Sequence, residues 1–117
     1  MLNLGVLVPI AEPETVPVNP HVELLTCAVV TLGGEQILAR TLQVSTSGLT
    51  LTCQIAHPAG SRIQVELRLP NRTWVCAHAW LISTSHWHGA YLWRVHFVSV
   101  PKPAWQHLTA YVEARLA

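Results

Sequence analysis

Residues 39–53 read ARTLQVSTSGLTLTC, and this stretch decides the fold. Apolar and polar positions alternate on both sides of its centre, as they do in strands that bury one face against a core. The centre itself, residues 45–48, reads STSG, which is typical of a turn. The stretch therefore predicts two antiparallel strands joined by a turn. It also raises the question whether the turn is only a connection or part of a ligand site.

The same alternation continues in both directions along the chain. Strand-like runs lie at residues 22–32, 37–45, 49–55, 62–69, 73–83 and 91–100. The run at 62–69 alternates almost strictly, so one of its faces should be buried and the other exposed to solvent. About six short strands separated by short turns predict a small β-barrel or sandwich.

A change of period marks the end of the chain. Pro101 and Pro103 follow the last strand-like run. Beyond them, apolar residues recur at helical spacing, namely Trp105, Leu108, Val112 and Leu116. This spacing predicts a C-terminal amphipathic helix that packs back on the sheet.

The start of the chain differs from the rest. Residues 11–20, AEPETVPVNP, contain three prolines and favour an extended connector, preceded by at most one short strand. We therefore divide the chain into an N-terminal extension and connector, residues 1–20, and a β domain with its helix, residues 21–117. The initial run MLNLGVLVPI has no cationic start and is too short for a signal peptide or a membrane span. The sequence predicts a cytoplasmic protein.

Composition limits the possible partners. With 117 residues the chain is about one domain, and its formal net charge is only +1. No broad basic surface is present for nucleic acid or anionic membranes, so neither is expected as a partner. Cys27, Cys53 and Cys76 lack CxxC spacing and lie in apolar runs, which predicts buried thiols in a reducing compartment.

Neither a metal site nor a catalytic site is predicted. His86 and His88 lie in a loop between the strands that carry His78 and His96, but that loop has no cysteine or carboxylate to complete a zinc site. A serine triad lacks an aspartate, because the chain has none, and no nucleophile elbow is visible. We therefore expect polar surface histidines, no cofactor and no enzyme activity.

Four segments in order carry a resemblance to a known family. They are QVSTSGLTL at residues 43–51, PAGSRIQVELRLP at 58–70, VCAHAWLIS at 75–83 and YLWRVHFVSV at 91–100. Over roughly residues 22–116 the chain resembles the bacterial PilZ domain. The resemblance implies a six-stranded antiparallel β-barrel with a C-terminal α-helix. It also implies a family often used as a receptor for the second messenger cyclic di-GMP.

Receptors of that family use two elements, and this chain departs from the first. An R-x-x-x-R arm supplies guanidinium groups for the phosphates. Here the corresponding arm, residues 12–25, reads EPETVPVNPHVELL and contains no Arg or Lys. The three acids of the arm are Glu12, Glu14 and Glu23. Cyclic di-GMP is therefore a possible ligand that we do not expect to bind tightly.

The second family element, D/N-x-S-x-x-G, is partly retained. Ser45 and Gly48 match it, whereas Gln43 stands in place of Asp or Asn. Arg40 is the nearest cation, and a regular strand would place it on the opposite face from Gln43. We take these four residues as the residual nucleotide site. We expect Ser45 and Gly48 to serve mainly the turn, Gly48 by a positive φ and Ser45 by bonding a loose backbone group.

The tryptophans predict a protein interface. Trp93 and Trp105 are expected in the core. Trp74, Trp80 and Trp87 belong to a hairpin, residues 74–98, with apolar residues on both faces, which predicts an exposed aromatic patch. A second copy of the chain or a partner protein, rather than the N-terminal segment, is expected to cover it.

Three functional hypotheses follow. The first is a PilZ-like regulatory adaptor in cyclic di-GMP-related signalling, such as motility, pilus or exopolysaccharide control. It works through contacts with a partner protein or, as a homodimer, with a second copy of the chain. The second is a true cyclic di-GMP receptor that uses the turn at residues 43–48, with phosphate contacts from Arg40, Arg62 or Arg94. The third is an unrelated β-barrel subunit of a larger assembly. The missing arginine pair favours the first.

Overall fold

The computed structural model describes residues 7–9 and 20–117. Six strands are substantial: β3 (Cys27–Leu32), β4 (Glu35–Val44), β5 (Gly48–Cys53), β6 (Arg62–Arg68), β7 (Trp74–Trp87) and β8 (Ala90–Pro101). Two short strands, β1 (Leu7–Pro9) and β2 (Val22–Glu23), precede them, and the helix α1 (Lys102–Leu116) follows. The six predicted strands and the C-terminal helix are confirmed.

The sheet consists of two antiparallel meanders that close on each other. One meander is β3–β4–β5 and the other is β6–β7–β8, each joined by pairing between strands that follow one another in the chain. Two further pairings, β3 with β6 and β5 with β8, close the barrel. The predicted six-stranded antiparallel barrel is therefore correct, and the sandwich alternative is not adopted.

Alternation in sequence becomes alternation of burial. In β6, Ile63, Val65 and Leu67 point into the core, whereas Arg62 and Arg68 are exposed at its ends. Trp93 and Phe97 from β8 are the largest fully buried side chains. A continuous apolar core thus fills the barrel, which is the expected source of most of its stability.

The helix covers one part of this core. Ala104, Leu108 and Val112 are its buried residues, while Trp105 is partly buried and Leu116 is 52% exposed. The buried side of the helix therefore begins at Ala104 instead of the predicted Trp105. It ends at Val112, one turn before the predicted Leu116. Among the described residues, no helix is both long enough and apolar enough to cross a membrane.

The N-terminal strand pairs with the end of β8. Leu7, Val8 and Pro9 pair with Pro101, Val100 and Ser99 of β8. One short strand before the connector was predicted, and it is present. It pairs with β8 only at residues 99–101, beyond the hairpin 74–98, and leaves Trp74 and Trp87 exposed. The predicted connector at residues 11–20 lies outside the described residues except for Pro20.

Candidate functional site

The Ser45 side chain bonds within its own turn. Ser45 is fully buried, and its N–H donates to the Gly48 carbonyl oxygen over 2.8 Å. Its Oγ accepts from the N–H groups of Ser47 and Gly48, each at 3.2 Å. The hydroxyl therefore satisfies backbone donors that the turn would otherwise leave unpaired. A bound ligand would have to share an oxygen that the turn already uses.

Gly48 is needed for a different reason from the one that the sequence predicted. It does not have a positive φ. It lies opposite His96 of β8, and a β-carbon at this position would come within 2.2 Å of the Val95 carbonyl oxygen. The Phe97 N–H also donates to the Ser47 carbonyl oxygen over 2.8 Å, which fixes the turn against β8. The glycine is required by close approach of two backbones.

A β-bulge changes the predicted relation between Arg40 and Gln43. Thr41 pairs with Leu51 and Gln43 pairs with Thr50, so Leu42 is the extra residue on β4. The bulge reverses the alternation, and both Arg40 and Gln43 are exposed on the outer face. The prediction that they lie on opposite faces was therefore wrong.

Gln43 belongs to a polar row that crosses the outside of the barrel. Glu23 of β2 pairs with Gln43, Gln43 pairs with Thr50 of β5, and Thr50 pairs with Arg94 of β8. Glu23 is held in place by α1, because the Tyr111 hydroxyl donates to its carbonyl oxygen over 2.8 Å. An acid of the N-terminal arm thus stands directly beside Gln43.

Gln43 and Arg40 line two different open grooves. The first, of about 360 Å³, is lined by Glu23, Leu25, Leu42, Gln43, Thr50, Trp87 and Leu92, and none of these is Arg or Lys. The second, of about 300 Å³, is lined by Cys27, Leu38, Ala39, Arg40, Thr52, Cys53 and Gln54. Ser45 and Gly48 come together in the turn, whereas Arg40 and Gln43 open into different grooves.

Sequence reasoning did not find Thr41, which holds the arm in place. Thr41 is fully buried, and its Oγ1 accepts from the Thr26 N–H over 3.0 Å and donates to the Leu24 carbonyl oxygen. Its own N–H donates to the Thr26 carbonyl oxygen over 2.9 Å. The sequence did contain a signal for this role, because Thr41 is a polar residue at a position of β4 where the alternation calls for an apolar one.

The tryptophans are only partly where the sequence predicted them. Trp93 is buried, with its Nε1 donating to the Ile55 carbonyl oxygen over 3.0 Å, as expected for the core. Trp74 is 54% exposed and Trp87 is 36% exposed, at opposite ends of β7. Trp80 is partly buried, with the Arg62 guanidinium carbon 4.6 Å from its ring centroid. The three side chains are therefore spread along the strand.

The structure corrects the prediction for one histidine and one thiol. His96 was expected on the surface, but it is buried. Cys53 and Cys76 are buried as predicted, whereas Cys27 is exposed, which corrects that part of the prediction. Burial raises the pKa of the Cys53 and Cys76 thiols, so they remain protonated and weakly nucleophilic near neutral pH. Within residues 7–9 and 20–117, no three His, Cys, Asp or Glu side chains are grouped to hold a metal ion.

A closed six-stranded barrel, a terminal helix and a buried Ser-x-x-Gly turn define a small β-barrel domain of a known kind. The chain matches the PilZ domain family over residues 19–114, and it belongs to that family. This family functions in cyclic di-GMP-related signalling. Comparison with curated protein sequences finds no match.

Two solved structures illustrate the shared fold. The Bacillus subtilis inhibitor of motility, MotI or DgrA, has a TM-score of 0.76 and 13% identity, covering 82% of this chain and 49% of that one. This chain thus spans about half the length of MotI. The PilZ domain of YcgR from Escherichia coli, with cyclic di-GMP, has a TM-score of 0.64 and 15% identity, covering 94% and 88% of the two chains.

Proposed function

We propose that this PilZ domain is a cytoplasmic regulatory adaptor in bacterial cyclic di-GMP-related signalling, such as control of motility, pili or exopolysaccharide. It acts through protein contacts rather than by catalysis, and it binds cyclic di-GMP weakly or not at all. One observation carries the proposal: Glu23 of the arm pairs with Gln43 and lines the groove beside it, and that groove has no Arg or Lys.

The charge of this groove disfavours a dianionic ligand. A phosphate near Glu23 would meet a negative carboxylate where a receptor supplies guanidinium groups. Each missing charge-assisted hydrogen bond removes about 1.5–3 kcal/mol. Two such losses lower the affinity by about two to four orders of magnitude.

Calorimetric titration tests this proposal. We expect cyclic di-GMP to give no heat of binding with this protein, with the PilZ domain of Escherichia coli YcgR, solved with the same nucleotide, as the positive control. The titration should be run at both low and physiological salt, because repulsion by Glu23 is least screened at low salt and a weak complex is easier to detect when that repulsion is screened. A dissociation constant in the low micromolar range or tighter would contradict the proposal.

A second candidate function is a cyclic di-GMP receptor built on residues 43–48. The bulge favours it, since Arg40 and Gln43 share the outer face and Arg94 lies across Thr50 from Gln43. If the titration detects binding, Arg40→Ala and Arg94→Ala should each weaken it by about tenfold. Arg115→Ala, in the last turn of α1, is the matched control and should leave the affinity unchanged.

A further inference from the structure

A third groove lies away from the turn and contains two arginines. Its volume is about 330 Å³, and it is lined by Leu24, Leu25, Thr26, Arg68, Leu69, Pro70 and Arg72. One wall is the link between β2 and β3, residues 24–26, and the other is the end of β6 with the turn into β7. We call this the arginine groove.

Both guanidinium groups of the arginine groove are available to a partner. Arg68 and Arg72 are exposed, and neither forms an ion pair with another described residue. Among the described residues, no Asp or Glu lines the groove. Two positive charges without an acidic partner in this part of the structure therefore lie together on one surface, and they complement a ligand that carries carboxylates or phosphates.

The backbone of this groove does not form an anion cradle. The Leu24 N–H donates to the Leu42 carbonyl oxygen, the Leu69 N–H to that of Thr73, and the Arg72 N–H to that of Leu69. The Thr26 N–H donates to Thr41 Oγ1, and Pro70 has no N–H to offer. Sites for small anions usually converge several free N–H groups on the ligand. Here attraction rests on the two side chains.

Apolar side chains flank the two charges. Leu25 is 60% exposed on the fixed link, and Trp74, which is 54% exposed, lies directly opposite Arg68 in the pairing of β6 with β7. Trp and Arg are enriched among the anchoring residues of protein interfaces. A ligand that fits must therefore offer both acids and apolar groups.

We infer that the arginine groove is the docking site for an acidic, apolar peptide segment of a partner protein. Asp or Glu side chains of that segment pair with Arg68 and Arg72, and its Leu, Phe or Trp side chains pack on Leu25 and Trp74. This inference rests on the proposed function only in that the domain works through protein contacts. Peptide docking does not require that cyclic di-GMP be absent.

Selection from a display library of random dodecapeptides tests the inference. The 117-residue chain is the bait, and its Arg68→Glu, Arg72→Glu double variant is used for counter-selection. We expect the enriched peptides to combine Asp or Glu with large apolar residues. A synthetic copy of the best peptide should bind the wild type and lose about tenfold or more in affinity to the double variant.

Two further variants control the measurement. Lys102→Glu with Arg115→Glu, on the exposed face of α1, changes the net charge equally and should leave the affinity for the peptide unchanged. Leu25→Ser removes the exposed apolar side chain without changing the charge, and it should weaken binding. Thermal melting of each variant verifies that it is folded.

Four results would overturn the inference. The first is a selection that enriches no peptide, or only peptides without acids. The second is equal affinity of the peptide for the wild type and the Arg68→Glu, Arg72→Glu variant. The third is displacement of the peptide by millimolar inorganic phosphate, which would mark an anion site. The fourth is a wild-type dimer, seen by light scattering, that the same double variant converts to a monomer. Tight cyclic di-GMP binding would refute the proposed function alone.

Discussion

Gly48→Ala is expected to reduce the free energy of unfolding by about 3 kcal/mol, at the upper end of the cost of overpacking a core. The added β-carbon would lie 2.2 Å from the Val95 carbonyl oxygen, and its next contacts are also backbone atoms of β8. Backbone cannot rotate away as the end of a flexible side chain can, so β5 and β8 must move apart. Urea denaturation followed by tryptophan fluorescence measures the loss.

Gly34→Ala is the matched control for this substitution. Gly34 has a φ of 87°, but a β-carbon there would meet nothing within 4 Å. Its replacement should cost about 1 kcal/mol from backbone strain alone. Gln43→Ala, on the exposed face, should change stability by less than about 0.5 kcal/mol. A Gly48→Ala variant no less stable than Gly34→Ala would mean that the close approach to β8 is wrong.

Thr41→Val is expected to cost about 2 kcal/mol, the second largest effect. The side chain keeps its shape but loses the hydroxyl, so the Thr26 N–H and the Leu24 carbonyl oxygen lose their partner. Leaving part-buried polar groups unpaired costs more than a hydrogen bond contributes. The same loss should loosen the link at residues 24–26, detectable as faster amide exchange there.

Thr52→Val also removes a threonine hydroxyl from the barrel, but here we expect no loss of stability. The Oγ1 of Thr52 is buried and has no hydrogen-bond partner among the described residues. Replacing it by a methyl group removes an unpaired polar atom, so stability should stay the same or rise slightly. If Thr52→Val proved the more damaging of the two, the hydrogen-bond assignments on this side of the barrel would be wrong.

The barrel could be predicted from the sequence because apolar residues recur at every second position of a strand, and these are the residues that become buried. In β6 every second residue is apolar, and those residues are the buried ones. The alternation of residues within β4 could not reveal the bulge at Leu42. A bulge is an extra residue in one strand relative to the strand it pairs with, so it depends on the pairing of β4 with β5. For that reason the prediction that Arg40 and Gln43 lie on opposite faces was wrong.

The geometry of the turn was predicted in part. Ser45 and Gly48 were recognised because the turn uses residue types with few alternatives. The reason for Gly48 was not recognised, because it depends on the approach of His96, 48 residues further along the chain, and no local rule reports such a contact. The pairing of Glu23 with Gln43 was equally hidden, although the acidity of the arm was plain in the sequence.

The division of the barrel into two meanders has a consequence for its folding kinetics. Pairings within each meander join neighbouring strands and can form early, whereas the two closing seams, β3 with β6 and β5 with β8, need distant segments to meet. Gly48 lies in the second seam, so Gly48→Ala should mainly accelerate unfolding and leave the folding rate nearly unchanged. Stopped-flow measurements in urea would show this as a shift of the unfolding arm alone. Pairing between β5 and β8 would then determine the unfolding rate of the barrel, and formation of the two meanders would determine its folding rate.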